Sequence, residues 1–345
     1  MTRVTVVSPE PTPYRAPLLD RIAARDDIDL TVIYAGRFLA DRTWSVEYDH
    51  RSVYLQGLRL PGARRIVRHD YPVTPRIARA LRASAPDVVI VAGWSTFAAQ
   101  AAVAWCRARG LPYILHVESH DLGPRRRWRR AVKNAVVSRF ITGAASILVV
   151  GSAARDSVVA RGADPMRVRV FANTIDVDRW IARAEDIGRT QHDGVIVLSV
   201  GRAVPEKGFD VLAAACSDAR VRLDAVTGGV PEDELARRYV GADVFALLSR
   251  HETWGVVVNE AAASGLPLVL SDRVGAAYDL LRNGENGFVV PSDDVRAVAD
   301  ALRKLAADPD LRRRMGERSR ELVRAWGYEP SVENFVAAVR EATSR

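Results

Sequence analysis

The sequence predicts an α/β protein made of two doubly wound, parallel-sheet domains that face a cleft. Three observations predict it. Short apolar runs recur along the whole chain, among them Val4–Ser8, Val88–Val91, Val195–Val200 and Val244–Leu248. Runs of that length, apolar on both faces, belong to strands covered by helices on each side. Stretches with helical spacing separate them. The chain has 345 residues, enough for two such domains, and its pattern lapses once into polar sequence between Trp180 and Asp193.

In order, Val4 to Ser8 is expected as the first strand and Tyr14 to Ala24 as its helix. Leu30 to Tyr34 is the next strand, and Val53 to Leu60 a half-exposed one. Ile77 to Arg82 reads as helix, and Val88 to Val91 and Tyr113 to Val117 as strands. Ile147 to Val150 is a strand followed by a helix over Ala153 to Ala160, and Val168 to Ala172 closes this half. The uncharged stretch Val88 to Cys106 has the length of a membrane span. Gly93, Ser95, Thr96 and Gln100 interrupt it, so a strand, a Gly-Trp loop and an alanine-rich helix explain it better.

Residues 1–175 are thus read as an N-terminal domain and 176–193 as an interdomain linker. Residues 194–326 form a C-terminal domain, and 327–345 a final helix expected to pack back on the N-terminal domain. The strands of the C-terminal domain are Val195 to Val200, Arg222 to Val226, Val244 to Leu248, Leu268 to Leu270 and Gly287 to Val290. Helices Phe209 to Ala215, Glu232 to Tyr239 and Val256 to Ser264 alternate with them. Pro205, Gly208, Gly228, Gly229, Pro267 and Gly284 mark the turns.

The composition, 48% hydrophobic and 27% charged, is that of a folded soluble protein. Cys106 and Cys216 have neither disulfide-framework nor zinc spacing, which fits a reducing cytoplasm. The N-terminus lacks the apolar core of a signal peptide and runs straight into a strand. A net charge of +8 speaks to partners: phosphate-bearing ligands, anionic lipid or nucleic acid. The local clustering of the charge and the lack of any RNA- or DNA-binding module argue against nucleic acid.

Two constellations carry chemistry. In the first, Gly201-Arg202-Ala-Val-Pro-Glu206-Lys207-Gly208 follows a strand and precedes a helix. It puts two cations on one strand-end loop, where ligands of such sheets bind. Arginine grips phosphate as a planar fork and lysine as a point charge. Lys207 is one of three lysines in an arginine-rich chain, the others being Lys133 and Lys304. The alternative is a solvated loop with two surface cations.

The second constellation is Glu252-Thr-Trp-Gly-Val-Val-Val-Asn-Glu260. Eight helical residues span about 12 Å, roughly the distance from the sugar to the ribose of a nucleotide-sugar. The amides of Thr253, Trp254, Gly255 and Val256 at the helix start form a ready diphosphate site. Glu252 then meets sugar hydroxyls and Glu260 the ribose. The alternative is two unrelated surface glutamates, although Ala261 to Ala263 indicate close packing around Glu260.

Several motifs together resemble GT-B glycosyltransferase family 4. They are Gly201-Arg202, Glu206-Lys207-Gly208, Ala242-Asp243-Val244, Ser249, the spaced glutamates, Ser264-Gly-Leu-Pro267, Asn283-Gly-Glu-Asn-Gly-Phe288 with Asp293 and Asp294, and Asn173-Thr-Ile-Asp176. The resemblance covers nearly the whole chain. It implies two Rossmann-like domains and metal-independent, retaining transfer of a sugar from a nucleotide diphosphate donor, a UDP- or GDP-sugar, with no cofactor. Carried over, it assigns Arg202 and Lys207 to the diphosphate, Glu252 to the donor sugar and Glu260 to the ribose. Only 45 positions separate Lys207 from Glu252, about one βα unit fewer than the family pattern, so the C-terminal domain is expected to be shortened. A non-catalytic scaffold of the same fold is the alternative reading.

Within Tyr113-Ile-Leu-His116-Val-Glu118-Ser-His120-Asp121, the resemblance points to His120 as the histidine that faces the donor sugar. Alternating His116, Glu118 and His120 could hold a metal on spacing alone, but no metal site is expected. Tyr14 and Arg15, in a Pro-Tyr-Arg loop after the first strand, are expected on the acceptor side. Trp94 either joins them or packs in the core. In Arg125 to Lys133 six of nine residues are cationic, and Trp128, Val132, Val136 and Phe140 repeat every fourth position. Such a helix either docks on an anionic membrane, bringing a lipid-linked acceptor to the inner face of the plasma membrane, or packs its stripe on its own domain.

Overall fold

The computed structural model describes residues 1–36, 46–58, 72–123, 134, 137–189 and 192–344. Its first half runs β1 (Thr2–Ser8), α1 (Ala16–Ala23), β2 (Ile28–Tyr34), β3 (Ser52–Tyr54), α2 (Ile77–Ser84), β4 (Val88–Ala92), α3 (Phe97–Arg107), β5 (Tyr113–Val117), β6 (Ser146–Val149), α4 (Ser152–Val159) and β7 (Val168–Val170). The seven strands form one parallel sheet in the order β3-β2-β1-β4-β5-β6-β7. The half-exposed strand expected over Val53 to Leu60 is described as β3 only over Ser52–Tyr54. Among the described residues Leu58 pairs with Val73 in an isolated antiparallel bridge, and Leu60 lies outside the described residues. The basic Arg125–Lys133 segment lies outside the described residues.

After α5 (Val177–Ile187) come β8 (Ile196–Val200), α6 (Phe209–Ala219), β9 (Arg222–Val226), α7 (Glu232–Val240), β10 (Val244–Leu247), α8 (Val256–Ala263), β11 (Leu268–Ser271), α9 (Ala277–Leu280) and β12 (Gly287–Val290). The chain ends with α10 (Val295–Ala307), α11 (Pro309–Arg324) and α12 (Tyr328–Thr343). The second sheet has five parallel strands in the order β12-β11-β10-β8-β9. Strand order reverses between β1 and β4 in the first sheet and between β8 and β10 in the second. At such switch points the flanking loops diverge and leave a crevice beyond the strand ends.

Helices cover both faces of the two sheets, which is why their central strands, such as β4 and β10, are continuously apolar. Val88 and Ile90 of β4 join a core with α1 and α12, while Val89 and Val91 join the core on the other face with α3. In β10, Val244 and Ala246 pack with α6 and α10, and Phe245 and Leu247 pack with α7 and α8. The last helix, α12, crosses back onto β4 to β7 and α1 of the first domain.

The polar stretch beginning at Trp180 is a helix where the sequence reading expected an aperiodic linker. Val177, Trp180, Ile181 and Ala184 are buried at helical spacing, and Asp176 caps the start by accepting from the Arg179 N–H at 3.1 Å. The apolar stripe is narrow, and the charged residues between its members hide the periodicity. It packs on α7, α8 and α11.

One helix is capped across the domain junction. At Gly151, which precedes α4, no side chain of the first domain serves as cap. Asp279 of α9 does so instead: it accepts from the Ser152 N–H at 2.8 Å and from its hydroxyl. Burial raises the Asp279 carboxyl above its ordinary range, while the Ser152 bonds oppose that shift. Removing an N-cap costs about 0.5–2 kcal/mol. Asp279→Ala is therefore expected to lower the urea midpoint with little change in slope. A midpoint equal to that of the native chain would show that the cap contributes nothing.

Candidate active site

The two switch points face each other. A cavity of about 420 Å³ opens between them. Its first-domain wall comes from the loops after β1, β4 and β5, including Ser8, Glu10, Thr12, Tyr14, Arg15, Trp94, His116 and Glu118. Glu252 and Thr253, after β10, supply the opposite wall.

On the second-domain side, the loop after β8 turns through a short 3₁₀ segment, Pro205–Lys207, into Gly208. Gly208 has φ +67°, and a β-carbon there would lie 2.3 Å from the Leu248 carbonyl oxygen, so only glycine fits. Arg250 fastens the turn. It donates to Asp293 at 2.6 Å, to Asp210 at 2.8 Å and to the Pro205 carbonyl, and its N–H bonds the Glu206 carbonyl at 2.8 Å. Lys207 is thereby aimed at β10, where its Nζ forms an ion pair with the Glu252 carboxylate; both side chains are largely buried. Arg202 lies exposed on the same loop and has no ion-pair partner among the described residues.

The Glu252 backbone is held as firmly as its side chain. Its N–H donates to the Arg273 carbonyl at 3.1 Å, and its own carbonyl accepts from the Gly275 N–H at 3.0 Å. Gly275 permits this contact, because a β-carbon there would sit 2.1 Å from the Thr253 oxygen. His120 supplies a second donor to the same Glu252 carbonyl, at 2.6 Å from Nε2. Its Nδ1 accepts from the Leu122 N–H at 3.3 Å, which fixes the neutral tautomer with hydrogen on Nε2. Burial lowers the His120 pKa, consistent with a neutral ring. His120 was expected to face the donor sugar. Its ring instead lies buried behind the cavity with both nitrogens engaged, and it supports the Glu252 loop from the other domain.

Trp254 departs from expectation more fully. It was expected among the donor-binding residues but is core, 1% exposed. Its ring lies 5.0 Å from that of Trp326, and Nε1 donates to Asn259 at 2.9 Å. Thr253, beside it, does line the cavity. Helix α8 begins at Val256, after Gly255, and no side chain caps it. Of the eight steps from Glu252 to Glu260, only the last four are therefore helical, about 6 Å of rise where all-helical spacing gave about 12 Å.

Glu260 lies outside the cavity lining. Its Oε2 accepts from the Tyr239 hydroxyl at 2.7 Å. Burial pushes its carboxyl up from 4.5 to about 7, while the Tyr239 bond pulls the other way. Tyr239 belongs to α7, which follows β9 directly through the exposed Thr227 to Gly229 loop. Between Lys207 and Glu252, where the sequence reading expected a shortened domain, the chain forms α6, β9, α7 and β10.

On the first-domain side, Arg15 is buried beside the cavity. Its Nη2 pairs with Glu118 and donates to Asn173 Oδ1 at 2.7 Å. Tyr14 lies next to it, with the guanidinium carbon 5.9 Å from the ring centre. Trp94 lines the cavity and also packs against the core below it. His116 is held near 3 by burial, with Arg15 adding to the effect, and is therefore neutral. Sequence reasoning missed Glu10, Thr12 and Tyr239. Three prolines around Glu10 and Thr12 were a signal of a fixed strand-end loop, but nothing in the sequence showed the two residues to be buried.

Comparison with known proteins agrees with this architecture. Residues 3–174 match the family model described as a glycosyl transferase 4-like domain, and residues 225–322 match glycosyl transferases group 1. Together the two matches span more than three quarters of the chain. The chain is 30% identical over 232 residues to a D-inositol 3-phosphate glycosyltransferase of Kribbella flavida, covering 55% of this chain and 54% of that protein, so it matches only about half of that relative's length. It is 28% identical to a GDP-mannose-dependent alpha-(1-6)-phosphatidylinositol monomannoside mannosyltransferase of Mycobacterium tuberculosis, covering 77% of this chain and 80% of that one. The crystal structure of Anabaena HepE in complex with UDP and glucose superposes with a TM-score of 0.72 at 14% identity, over 99% of this chain and 100% of that one. A likeness at that identity speaks to fold alone. The two matched domains, the paired parallel sheets and the facing switch points make this chain a member of the GT-B glycosyltransferases of family 4.

Proposed function

We propose that this protein transfers a sugar from a UDP- or GDP-sugar to a hydroxyl acceptor, with retention at the anomeric carbon. The observation that carries the reading is the Lys207–Glu252 ion pair at one switch point, facing a polar cavity at the other. An incoming diphosphate would draw Lys207 away from Glu252, aided by Arg202 and by the uncapped start of α8 with Gly255 and Val256. Glu252, released, would accept from the donor sugar's hydroxyls, and Glu260 would take the ribose. Thr253 would border the sugar.

In this mechanism the acceptor oxygen forms its bond to the anomeric carbon on the face from which the phosphate oxygen leaves. That phosphate oxygen takes the acceptor's proton. The protein's main contribution is to stabilise charge on the leaving diphosphate, a task proposed for Lys207 and Arg202 with no metal ion and no cofactor. His120 acts as a positioning residue through the Glu252 carbonyl.

The relatives' names support both candidate bases, with GDP-mannose in one and UDP in the structural neighbour. A lipid-linked or envelope glycan is the proposed acceptor class, supported by the Arg125–Lys133 cations, which would sit on an anionic membrane face. No described helix is long and apolar enough to cross a membrane.

A thermal-shift panel of UDP-, GDP- and ADP-sugars tests the donor site, since a ligand bound at 100 times its Kd stabilises by about 2.7 kcal/mol. A rise with one base is expected; no response to any of them would leave a scaffold without a donor. Lys207→Ala is expected to lower kcat about 100-fold or more with the fold intact. Glu252→Gln is expected to lose transfer to a similar extent while binding free UDP or GDP at least as tightly, because Lys207 is then unpaired. Weaker nucleotide binding in that variant would contradict the exchange.

Glu260 gives a pH signature. Its folded-state pKa lies above its ordinary value, so the folded chain holds a proton that the unfolded chain has released between about 4.5 and about 7. Stability from this group therefore falls as pH rises through that window, by roughly 1–3 kcal/mol. Glu260→Gln should flatten the decline in melting temperature between pH 4.5 and 7; an unaltered profile would assign the decline to other groups.

A further inference from the structure

The second sheet ends in two edge strands, and the chain itself closes one of them. In a parallel pair the N–H and carbonyl of a residue point to the same side, and the side alternates along the strand. In β12, Phe288 and Val290 face β11, while Gly287 and Val289 face outward. The outward Val289 N–H donates to Asn283 Oδ1 at 2.9 Å, and the outward Gly287 carbonyl accepts from the Gly284 N–H at 2.8 Å. This edge is capped by its own turn.

The edge at β9 has no such cap. The Arg222 N–H donates to the Val195 carbonyl at 2.9 Å, and the Val226 carbonyl accepts from the Gly201 N–H at 3.0 Å. Arg222, Asp224 and Val226 therefore face β8 with their backbone groups, and those of Leu223 and Ala225 face outward. Among the described residues these outward groups have no partner. Arg222 and Ala225 are exposed. An open edge is a template for another strand, and charges are the usual guard against it. Arg222 and Asp224 are such charges, but their spacing admits one partner.

Antiparallel pairing of β9 with an identical strand has two registers that use the outward groups. Centred on Asp224, it sets two carboxylates directly opposite each other, which is destabilising. Centred on Leu223, it lets the two Leu223 residues exchange both backbone bonds, and Arg222 of each copy stands opposite Asp224 of the other. Arg222 has no ion-pair partner among the described residues. Asp224 accepts from Arg238 through Oδ1 at 2.8 Å, which leaves Oδ2 for a second cation. An antiparallel contact of identical strands closes on a twofold axis, so assembly stops at two copies.

We infer that β9 is a self-association edge, which joins β9 of a second copy in antiparallel register centred on Leu223. The two five-stranded sheets become one, and their carboxyl ends point in opposite directions, so each cleft stays open. A contact through one strand belongs to the weak, transient end of interfaces, and a dissociation constant on the order of 10 µM is expected.

Sedimentation velocity of the full chain across the micromolar range tests this. The native chain is expected to pass from monomer to dimer as concentration rises; a monomer throughout would overturn the inference. Arg222→Asp sets like charges opposite each other on both sides of the axis, as does Asp224→Arg, and each is expected to weaken the dimer about tenfold or more. Mixing the two variants restores opposite charges at both positions and is expected to restore association as a heterodimer. A mixture as monomeric as its components would overturn the register. Ala225→Pro removes an outward N–H and keeps every bond to β8, so it is expected to abolish the dimer with far-UV circular dichroism unchanged. A dimer that survives Arg222→Asp and Ala225→Pro would place the contact elsewhere and overturn the inference. If Asp224→Arg fails to fold without its Arg238 bridge, those two variants decide the question.

Discussion

The site depends on one carbonyl. The oxygen of Glu252 accepts from Gly275 on its own domain and from His120 on the other. A carbonyl has two lone pairs, and here each domain takes one. The loop that carries the carboxylate is therefore fixed with respect to both walls of the cleft at once. Trp254, one residue on, adds an apolar anchor. Its indole packs against Trp326 and fills the space next to Gly151, where a β-carbon would lie 2.3 Å from the ring. With the backbone held on one side and the indole buried on the other, the Glu252 side chain turns toward Lys207. Geometry at this loop is thus coupled to the closeness of the two domains, and the Asp279 cap on α4 works in the same direction.

Parallel sheets explain why all of this gathers in one place. Both sheets present carboxyl ends to the cleft, and most of the polar and charged side chains that line it stand at or just beyond the ends of largely apolar strands. The strands supply rigidity and the loops supply chemistry. Arg250 shows how rigidity reaches into a loop: it ties the Lys207 turn to Asp210 and Asp293, so the cation sits on a braced turn. An exposed Arg202 and a braced Lys207 on the same turn suit different tasks, a mobile fork that closes over a ligand and a fixed point charge.

Much of this was legible in the sequence because strands buried on both faces must be apolar along their length, and few other patterns imitate that. Two-domain architecture, switch-point loops and the Lys207 and Glu252 positions all followed from such runs and the residues that end them. What stayed hidden has a common cause. Helix α5 was masked because one narrow buried stripe is diluted by charges on the other three sides. Trp254 was misplaced because a tryptophan in a glycine-flanked loop looks exposed until the partner domain is present to bury it. The role of His120 was obscured for the same reason, since its partner is a backbone carbonyl 132 positions away, and backbone groups leave no trace in sequence. Thr12 Oγ1 and His116 Nε2 are the extreme case: what distinguishes them is the lack of a partner among the described residues, which leaves no trace in sequence.

The two walls of the cleft differ in how they would gain affinity. On the donor side Lys207 is already paired with Glu252, and the Glu260 carboxyl with the Tyr239 hydroxyl. A ligand there exchanges one set of contacts for another, and the net gain is the difference between two comparable interactions. On the first-domain wall, Thr12 Oγ1 and His116 Nε2 have no hydrogen-bond partner among the described residues. A hydroxyl arriving there completes a bond the protein cannot make for itself, so its gain is not offset by a broken one, and a group unable to hydrogen-bond would leave the buried atom as costly as before. Selectivity is therefore steeper where the protein is unsatisfied than where it is self-paired.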